Sequence, residues 1–139
     1  MLHINIICIG KLKEQYLKDA LNEYSKRLYK YCSLKIIELP DEKVPENLNA
    51  NIINKIKEIE SNNILSHIKN NSYTIALDLH GKQLSSEEFS LKIENIALNN
   101  NSNINFIIGG TLGLSDKLLK QATELISFSK MTFPHQLIR

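Results

Sequence analysis

A parallel α/β sheet with helices on both faces is the fold class this chain predicts. Three observations carry it. Short isoleucine-rich runs alternate with longer stretches whose apolar residues recur every three or four positions, strand and helix following one another five and four times. Most of the apolar runs break at a glycine or a proline, as strands do where they end in turns. At 139 residues, 42% of them apolar and 23% charged, the chain fits one domain (1–139) able to bury a real core.

The elements follow in order. Residues 3–9 are rich in Ile and read as a strand ending at Gly10. Across 11–31, Leu12, Tyr16, Ala20, Leu21, Tyr24, Leu28 and Tyr31 fall on one helical stripe. Residues 34–39 form a second strand, stopped by Pro40, which cannot donate to a ladder. A charged loop over 41–46 leads to a helix with Leu48, Ile52, Ile56 and Ile59 on one face, running to about Ile68. The third strand spans 73–79 and is closed by His80-Gly81-Lys82. Ser85 followed by Glu88 is a capping box, with Phe89, Ile93, Ile96 and Ala97 as the stripe behind it. A polar turn over 99–103 precedes the fourth strand, 104–108. Ser115 or Asp116 caps a helix to about Thr123, and 125–128 is the fifth strand.

Composition narrows the function. No apolar run approaches a membrane span, and Ile4–Ile9 is too short and lacks the flanks of a signal peptide, so the chain reads as cytoplasmic with no membrane partner. Cys8 and Cys32 have no metal-ligand spacing, and a disulfide framework is not expected. The net charge of +2 does not announce a nucleic-acid binder. Its distribution is uneven: residues 11–35 hold seven basic side chains (Lys11, Lys13, Lys18, Lys26, Arg27, Lys30, Lys35) against Glu14, Asp19 and Glu23, a balance of +4. Such a face either follows a phosphate backbone or is simply solvated.

The chemistry concentrates in the last third. The run Ile104-Asn105-Phe106-Ile107-Ile108 breaks into Gly109-Gly110-Thr111-Leu112-Gly113, and a second apolar run turns into Ser129-Lys130-Met131-Thr132-Phe133-Pro134. Loops at the carboxyl edge of a parallel sheet are where ligands bind. The glycines are neither a phosphate loop, since no Gly-Lys-Ser/Thr follows, nor a dinucleotide fingerprint, whose spacing and place after the first strand they lack. There is no metal-spaced cluster and no nucleophile elbow. What remains is a pocket of main-chain donors and apolar walls. Phe128, Met131 and Phe133 would flank a flat ring and Ser129 and Thr132 offer hydroxyls, which suits an adenine-containing ligand. Glycines after a strand also serve as plain turns.

Asp41-Glu42-Lys43, Leu77-Asp78-Leu79-His80-Gly81-Lys82, Phe106-Ile107-Ile108-Gly109-Gly110-Thr111-Leu112-Gly113-Leu114 and Ser127-Phe128-Ser129-Lys130-Met131-Thr132-Phe133-Pro134-His135-Gln136 resemble one family closely. It is that of the SPOUT-class ribosomal RNA large-subunit methyltransferases, which methylate N3 of a pseudouridine in 23S rRNA. The resemblance covers the whole chain in order from Gly10-Lys11-Leu12-Lys13. It implies an α/β-knot fold with a trefoil knot near the carboxyl end, a homodimer, the assembled ribosome as partner and S-adenosyl-L-methionine as methyl donor. By the same resemblance the cofactor contacts are Leu77, Gly109, Phe128, Ser129, Lys130, Met131, Thr132 and Phe133, with no metal. No catalytic residue is assigned: His135 beside the pocket fits a proton acceptor or a loop-fixing role, Asp78 a pocket or an edge position, and Lys130 an anion partner or a solvated side chain.

Family members continue beyond Arg139 into a final helix of roughly twenty residues. The resemblance therefore implies an incomplete knot here, a mobile Arg139, weakened dimerisation and cofactor affinity, and little turnover by these residues alone. A non-catalytic ribosome- or RNA-binding module of the same fold is the second reading. A flavodoxin-like nucleotide binder without a knot is the third.

Overall fold

Isoleucine-rich strands bury both faces only if helices cover both, and the computed structural model, which describes residues 1–99 and 101–139, shows that arrangement. The elements are β1 (Leu2–Ile9), α1 (Gln15–Leu28), β2 (Cys32–Leu39), α2 (Ala50–Ser66), β3 (Tyr73–Gln83), α3 (Ser86–Leu98), β4 (Asn103–Ile108), α4 (Asp116–Gln121), β5 (Glu124–Ser127) and α5 (His135–Ile138). Five strands form one sheet in the order β2-β1-β4-β3-β5, and every pairing is parallel. Steps from β1 to β2 and from β3 to β4 run one way across the sheet, while β2 to β3 and β4 to β5 run the other. Right-handed crossovers then put α1 and α3 on one face and α2 and α4 on the opposite one.

The two cores agree with that division. Ile7, Ile9, Leu39, Ile64, Ala76, Ile107, Leu114 and Leu118 pack under α2 and α4. Ile75, Ile96, Ile104, Phe106 and Ile126 pack under α3, joined by Phe89 and Ile93. The middle strand β4 is buried from Ile104 to Ile108, so it contributes to both cores by alternation.

One polar residue interrupts that strand. Asn105 is buried, paired in register with Asn5 of β1 and Thr74 of β3. Asn5 Nδ2 donates to its Oδ1 at 2.9 Å, and its own Nδ2 donates to Ser72 Oγ at 2.9 Å and Thr74 Oγ1 at 3.4 Å. A shifted register would strand these groups among isoleucines without partners, so the ladder selects one alignment of three strands. The start of β5 is tied separately: Tyr73 Oη donates to Glu124 at 2.9 Å and Lys92 pairs with Glu124 at 2.8 Å. Burial and the Glu124 hydrogen bond push the Tyr73 hydroxyl up to about 12.

Several expected details differ. The first helix begins at Gln15, not Lys11, and its packed side chains are Leu17, Leu21 and Ser25 instead of the Tyr16/Tyr24/Leu28 stripe, which is exposed. At the sheet's edge α1 packs chiefly on β2, and so narrow a seat buries only a thin strip of the helix. The second helix starts at Ala50 behind the Asn49 cap and buries Ile56, Glu60, Ser61 and Ile64, leaving Leu48 and Ile59 exposed. Strand β2 begins two residues early, at Cys32. The fifth strand is 124–127, so Phe128 lies past its end. Ser85 accepts from Glu88 N at 3.1 Å as the capping pattern requires, whereas Ala97 is exposed. Ser115 is the cap of α4, which ends at Gln121. The turn expected over 99–103 includes Asn100, which lies outside the described residues.

Replacing Asn105 by Leu leaves Asn5, Ser72 and Thr74 without their amide partner, and stability measured by urea denaturation is expected to fall by about 1–3 kcal/mol. A variant as stable as the parent would show that the ladder does not hold the register.

Candidate functional site

Because every strand is parallel, the carboxyl ends of β1, β3, β4 and β5 lie on one edge. A cavity of about 690 Å³ opens there, within the range of small-molecule sites. Three chain segments wall it: residues 77–80 from β3, 108–114 at the end of β4 and after it, and 127–135 apart from Lys130 at the end of β5 and after it, joined by Ile138 of α5.

The β3 segment arrives through a break in the ladder. Leu77 and Lys82 both stand opposite Ile126, so residues 78–81 loop out between them. The expected turn at His80-Gly81-Lys82 is thus an irregularity inside a longer strand. Gly81 is required by close approach, since a Cβ there would sit 2.7 Å from Ile126 backbone atoms. The excursion brings Asp78, Leu79 and His80 to the cavity wall, and Asp78 Oδ2 accepts from His80 N at 3.0 Å to hold its shape.

The glycine segment folds back on itself. Gly113 N donates to Gly110 O at 3.1 Å, and Gly113 adopts φ +87°, where other residues are strained. A side chain on Gly109 would meet Leu114 at 3.0 Å and Gly113 C at 3.1 Å. The backbone can therefore stand at the cavity wall with nothing projecting from it. Beneath the loop, α2 supplies polar support: Ser61 Oγ accepts from Ser115 N at 2.9 Å, and the Glu60 carboxylate lies within 3.1 Å of a Cβ built on Gly110. Glu60 also accepts from Glu42 N at 2.9 Å. Burial, and then the neighbouring charges of Asp41 and Glu42, raise its pKa despite that hydrogen bond.

After β5, Ser127 Oγ donates to Ser129 O at 2.8 Å and Ser129 Oγ accepts from Met131 N at 3.0 Å. This small turn presents Phe128, Met131 and Phe133, all substantially exposed. Phe128 stands edge-on to Phe89 at 6.2 Å. The structure brings Leu77, Gly109, Phe128, Ser129, Met131, Thr132 and Phe133 together around the cavity; Lys130 is exposed and is not part of its lining. His135 lines the cavity with Nε2 3.7 Å from a Cβ built on Gly10.

Arg139, expected to be mobile, is anchored. Its side chain is only 1% exposed: Nη1 pairs with Glu38 at 2.8 Å, and Nη2 donates to Gly10 O at 2.9 Å and Ile9 O at 3.3 Å. The open carbonyls at the end of β1 and the Glu38 carboxylate, which also accepts from Leu12 N at 2.9 Å, form a ready seat for a guanidinium. The Arg139 Nε is buried without a partner. This clamp holds the 135–138 turn of helix against the cavity. Cys8 nearby is inert, its thiol pushed up to about 11 by burial.

Glu38, Glu60 and Ser61 were not foreseen as site-supporting residues. Glu60 had a readable signal: it occupies the stripe position between Ile56 and Ile64, where an acid in an apolar row needs a partner. Among the described residues no group of three or more His, Cys, Asp or Glu is placed to hold a metal ion, and no helix is long and apolar enough to cross a membrane.

The cavity suits a flat, partly polar ligand. Leu77, Ile108, Leu114 and Phe133 offer apolar surface, the bare Gly109–Gly110 backbone permits close main-chain contact, and Thr111, Ser129 and Thr132 provide hydroxyls. An adenosyl group with an amino-acid tail fits that donor set.

The fold and this site define a parallel α/β protein with a candidate ligand cavity at its glycine-rich carboxyl edge. The family described as "Predicted SPOUT methyltransferase" matches residues 2–139, and the chain belongs to it. The protein named Ribosomal RNA large subunit methyltransferase H of Clostridium botulinum (strain 657 / Type Ba4) is 59% identical over 138 residues, 99% of this chain and 87% of that protein. A Clostridium acetobutylicum protein of the same name is 57% identical over the same shares. Ribosomal RNA large subunit methyltransferase H 1 of Clostridium perfringens (strain SM101 / Type A) is 56% identical, again over 99% and 87%.

Because its folded pKa is raised, Glu60 favours the fold most when protonated, and that favour is lost as pH rises from the unfolded value of 4.5 through the folded one. Glu60→Gln removes the charge and keeps an acceptor. Its stability relative to the parent, followed by urea denaturation from about pH 4 to 8, is expected to improve as pH rises. A pH-independent difference would contradict this.

Proposed function

We propose that this protein is an S-adenosylmethionine-dependent methyltransferase that methylates N3 of a pseudouridine in 23S rRNA of the assembled ribosome. The observation that carries the reading is the convergence of Leu77, Gly109, Phe128, Ser129, Met131, Thr132 and Phe133 on one cavity, in a chain of the SPOUT family whose relatives bear the rRNA methyltransferase name. The bound cofactor would supply an electrophilic sulfonium methyl.

The chain's own residues bind and orient. Leu77, Leu114 and Phe133 would clasp the adenine, and the Gly109–Gly110 backbone, which no side chain shields, would meet its polar edge. Asp78, His80 and His135 also line the cavity, where the uracil ring would approach. Methylation forms a carbon–nitrogen bond at N3, breaks the sulfur–carbon bond and releases the N3 proton. Alignment and desolvation in the cavity are the main help such a transfer needs, with a nearby acceptor or water for the proton. Lys130, outside the lining, would serve a phosphate or the cofactor carboxylate from the rim. A homodimer acting in the cytoplasm completes the proposal.

Incubation with large ribosomal subunits and methyl-labelled S-adenosylmethionine, followed by nuclease digestion and mass spectrometry, is expected to yield labelled N3-methylpseudouridine. Label in a different nucleoside would overturn the assigned position. Subunit binding without any label would favour the non-catalytic module.

A further inference from the structure

Behind the cavity wall stands a charge that its hydrogen bonding does not explain. Glu60 is 5% exposed, on the buried stripe of α2 between Ile56 and Ile64. Its Oε2 accepts from Glu42 N at 2.9 Å, a bond that an uncharged glutamine would make as well. None of the ion pairs among the described residues includes it. Lys57, about a turn earlier on α2, stands instead beside Gly113, its Cε 4.0 Å from a Cβ built there. Burial, and then the charges of Asp41 and Glu42, keep the pKa of Glu60 raised against its one hydrogen bond. A buried carboxylate without a countercharge lowers stability, and residues of that kind are kept where the charge itself has a use.

The charge lies toward the ligand edge. Gly110 lines the cavity, and a Cβ built on it would meet Glu60 Oε1 at 3.1 Å and Oε2 at 3.5 Å. The carboxylate thus sits against the back of a bare main chain whose front is the cavity wall. Ile9 Cγ2 would meet the same Cβ at 3.1 Å, so the surroundings of the charge are partly apolar. Asp41 and Glu42, the latter tied to Glu60 by its amide, add charge of the same sign.

We infer that Glu60 is a specificity-determining residue: its carboxylate behind Gly110 favours the positively charged sulfonium of the methyl donor over the neutral thioether left after transfer. The inference deepens the methyltransferase reading above and rests on it for the identity of the ligand. The two adenosyl compounds differ only in the methyl and its positive charge, so apolar walls and main-chain contacts alone separate them poorly. A fixed negative charge in a partly dry wall separates them, because its attraction for a cation is weakly screened there. Once the methyl has gone to N3 the sulfur is neutral, and the attraction ends. The field therefore helps fresh donor replace spent product. It does not speed the transfer itself, since positive charge is leaving the sulfur in the transition state.

The test is calorimetry of the full chain with S-adenosylmethionine and with S-adenosylhomocysteine at about pH 8, where carboxylates are ionised. It compares the parent with Glu60→Gln, which keeps an acceptor for Glu42 N and removes the charge, and with Glu60→Asp, which keeps the charge. The readout is the ratio of the two dissociation constants, because a change in folding or loop shape moves both ligands together. Glu60→Gln is expected to weaken S-adenosylmethionine by roughly five- to tenfold and S-adenosylhomocysteine by less than about twofold. Glu60→Asp is expected to hold the parent's ratio within about threefold. A ratio that Glu60→Gln leaves unchanged, with both ligands kept or both weakened alike, would overturn the inference and leave Glu60 a structural role. So would a shift seen in Asp78→Asn and not in Glu60→Gln, which would assign the discrimination to the acid on the cavity wall. A parent that binds neither compound would refute the cofactor reading and this inference with it, whereas a parent that binds both with an unmoved ratio refutes the inference alone.

Discussion

A buried carboxamide in the middle strand sets the height of everything at the ligand edge. Asn105 joins β1, β4 and β3 through side-chain hydrogen bonds at 2.9 to 3.4 Å in a polar layer between apolar ones. Hydrophobic burial alone would tolerate a slide of two residues, since it keeps the same face inward. The amide ladder does not tolerate it. With the register held, the glycine loop after β4 and the excursion of β3 at residues 78–81 arrive at one level, and the turn after β5 closes against them.

The loops themselves need support from outside the sheet. Ser61 on α2 ties Ser115 at the end of the glycine segment, Glu60 packs beneath Gly110, and the Arg139 clamp on Glu38, Ile9 and Gly10 holds the last turn of helix from the side. Both devices draw polar groups into or beside the core, where most of them are hydrogen-bonded. Their common consequence is a cavity whose walls are backbone and apolar side chains, and whose shape is preset before any ligand enters. Preset geometry is what a methyl transfer asks of its enzyme.

Much of this was legible in the residues. Five strands, their parallel order and the two loops after β4 and β5 followed from isoleucine runs punctuated by glycine and proline, because period and punctuation are local properties. The resemblance carried by Ile108-Gly109-Gly110 and by Ser127 through Gln136 added Leu77 to the expected site, and Leu77 lines the same cavity as the two loops. Tertiary features were less legible. The seat of α1 departs from its sequence pattern: Tyr16, Tyr24 and Leu28 fall on one stripe, yet at the edge of the sheet only Leu17, Leu21 and Ser25 are partly covered. The hydrogen-bond partner of Glu60 lies 18 positions away, and the Arg139 seat depends on residues more than 100 positions distant. No local pattern announces contacts of that span.

Hydrogen exchange of the backbone amides, with and without S-adenosylmethionine, tests the central claim most directly. The account predicts added protection confined to the three segments around Leu77, Gly109–Leu114 and residues 127–133, with α1 and the outer face of α3 unchanged. Protection elsewhere, or none at saturating cofactor, would contradict the assignment of this cavity as the cofactor site.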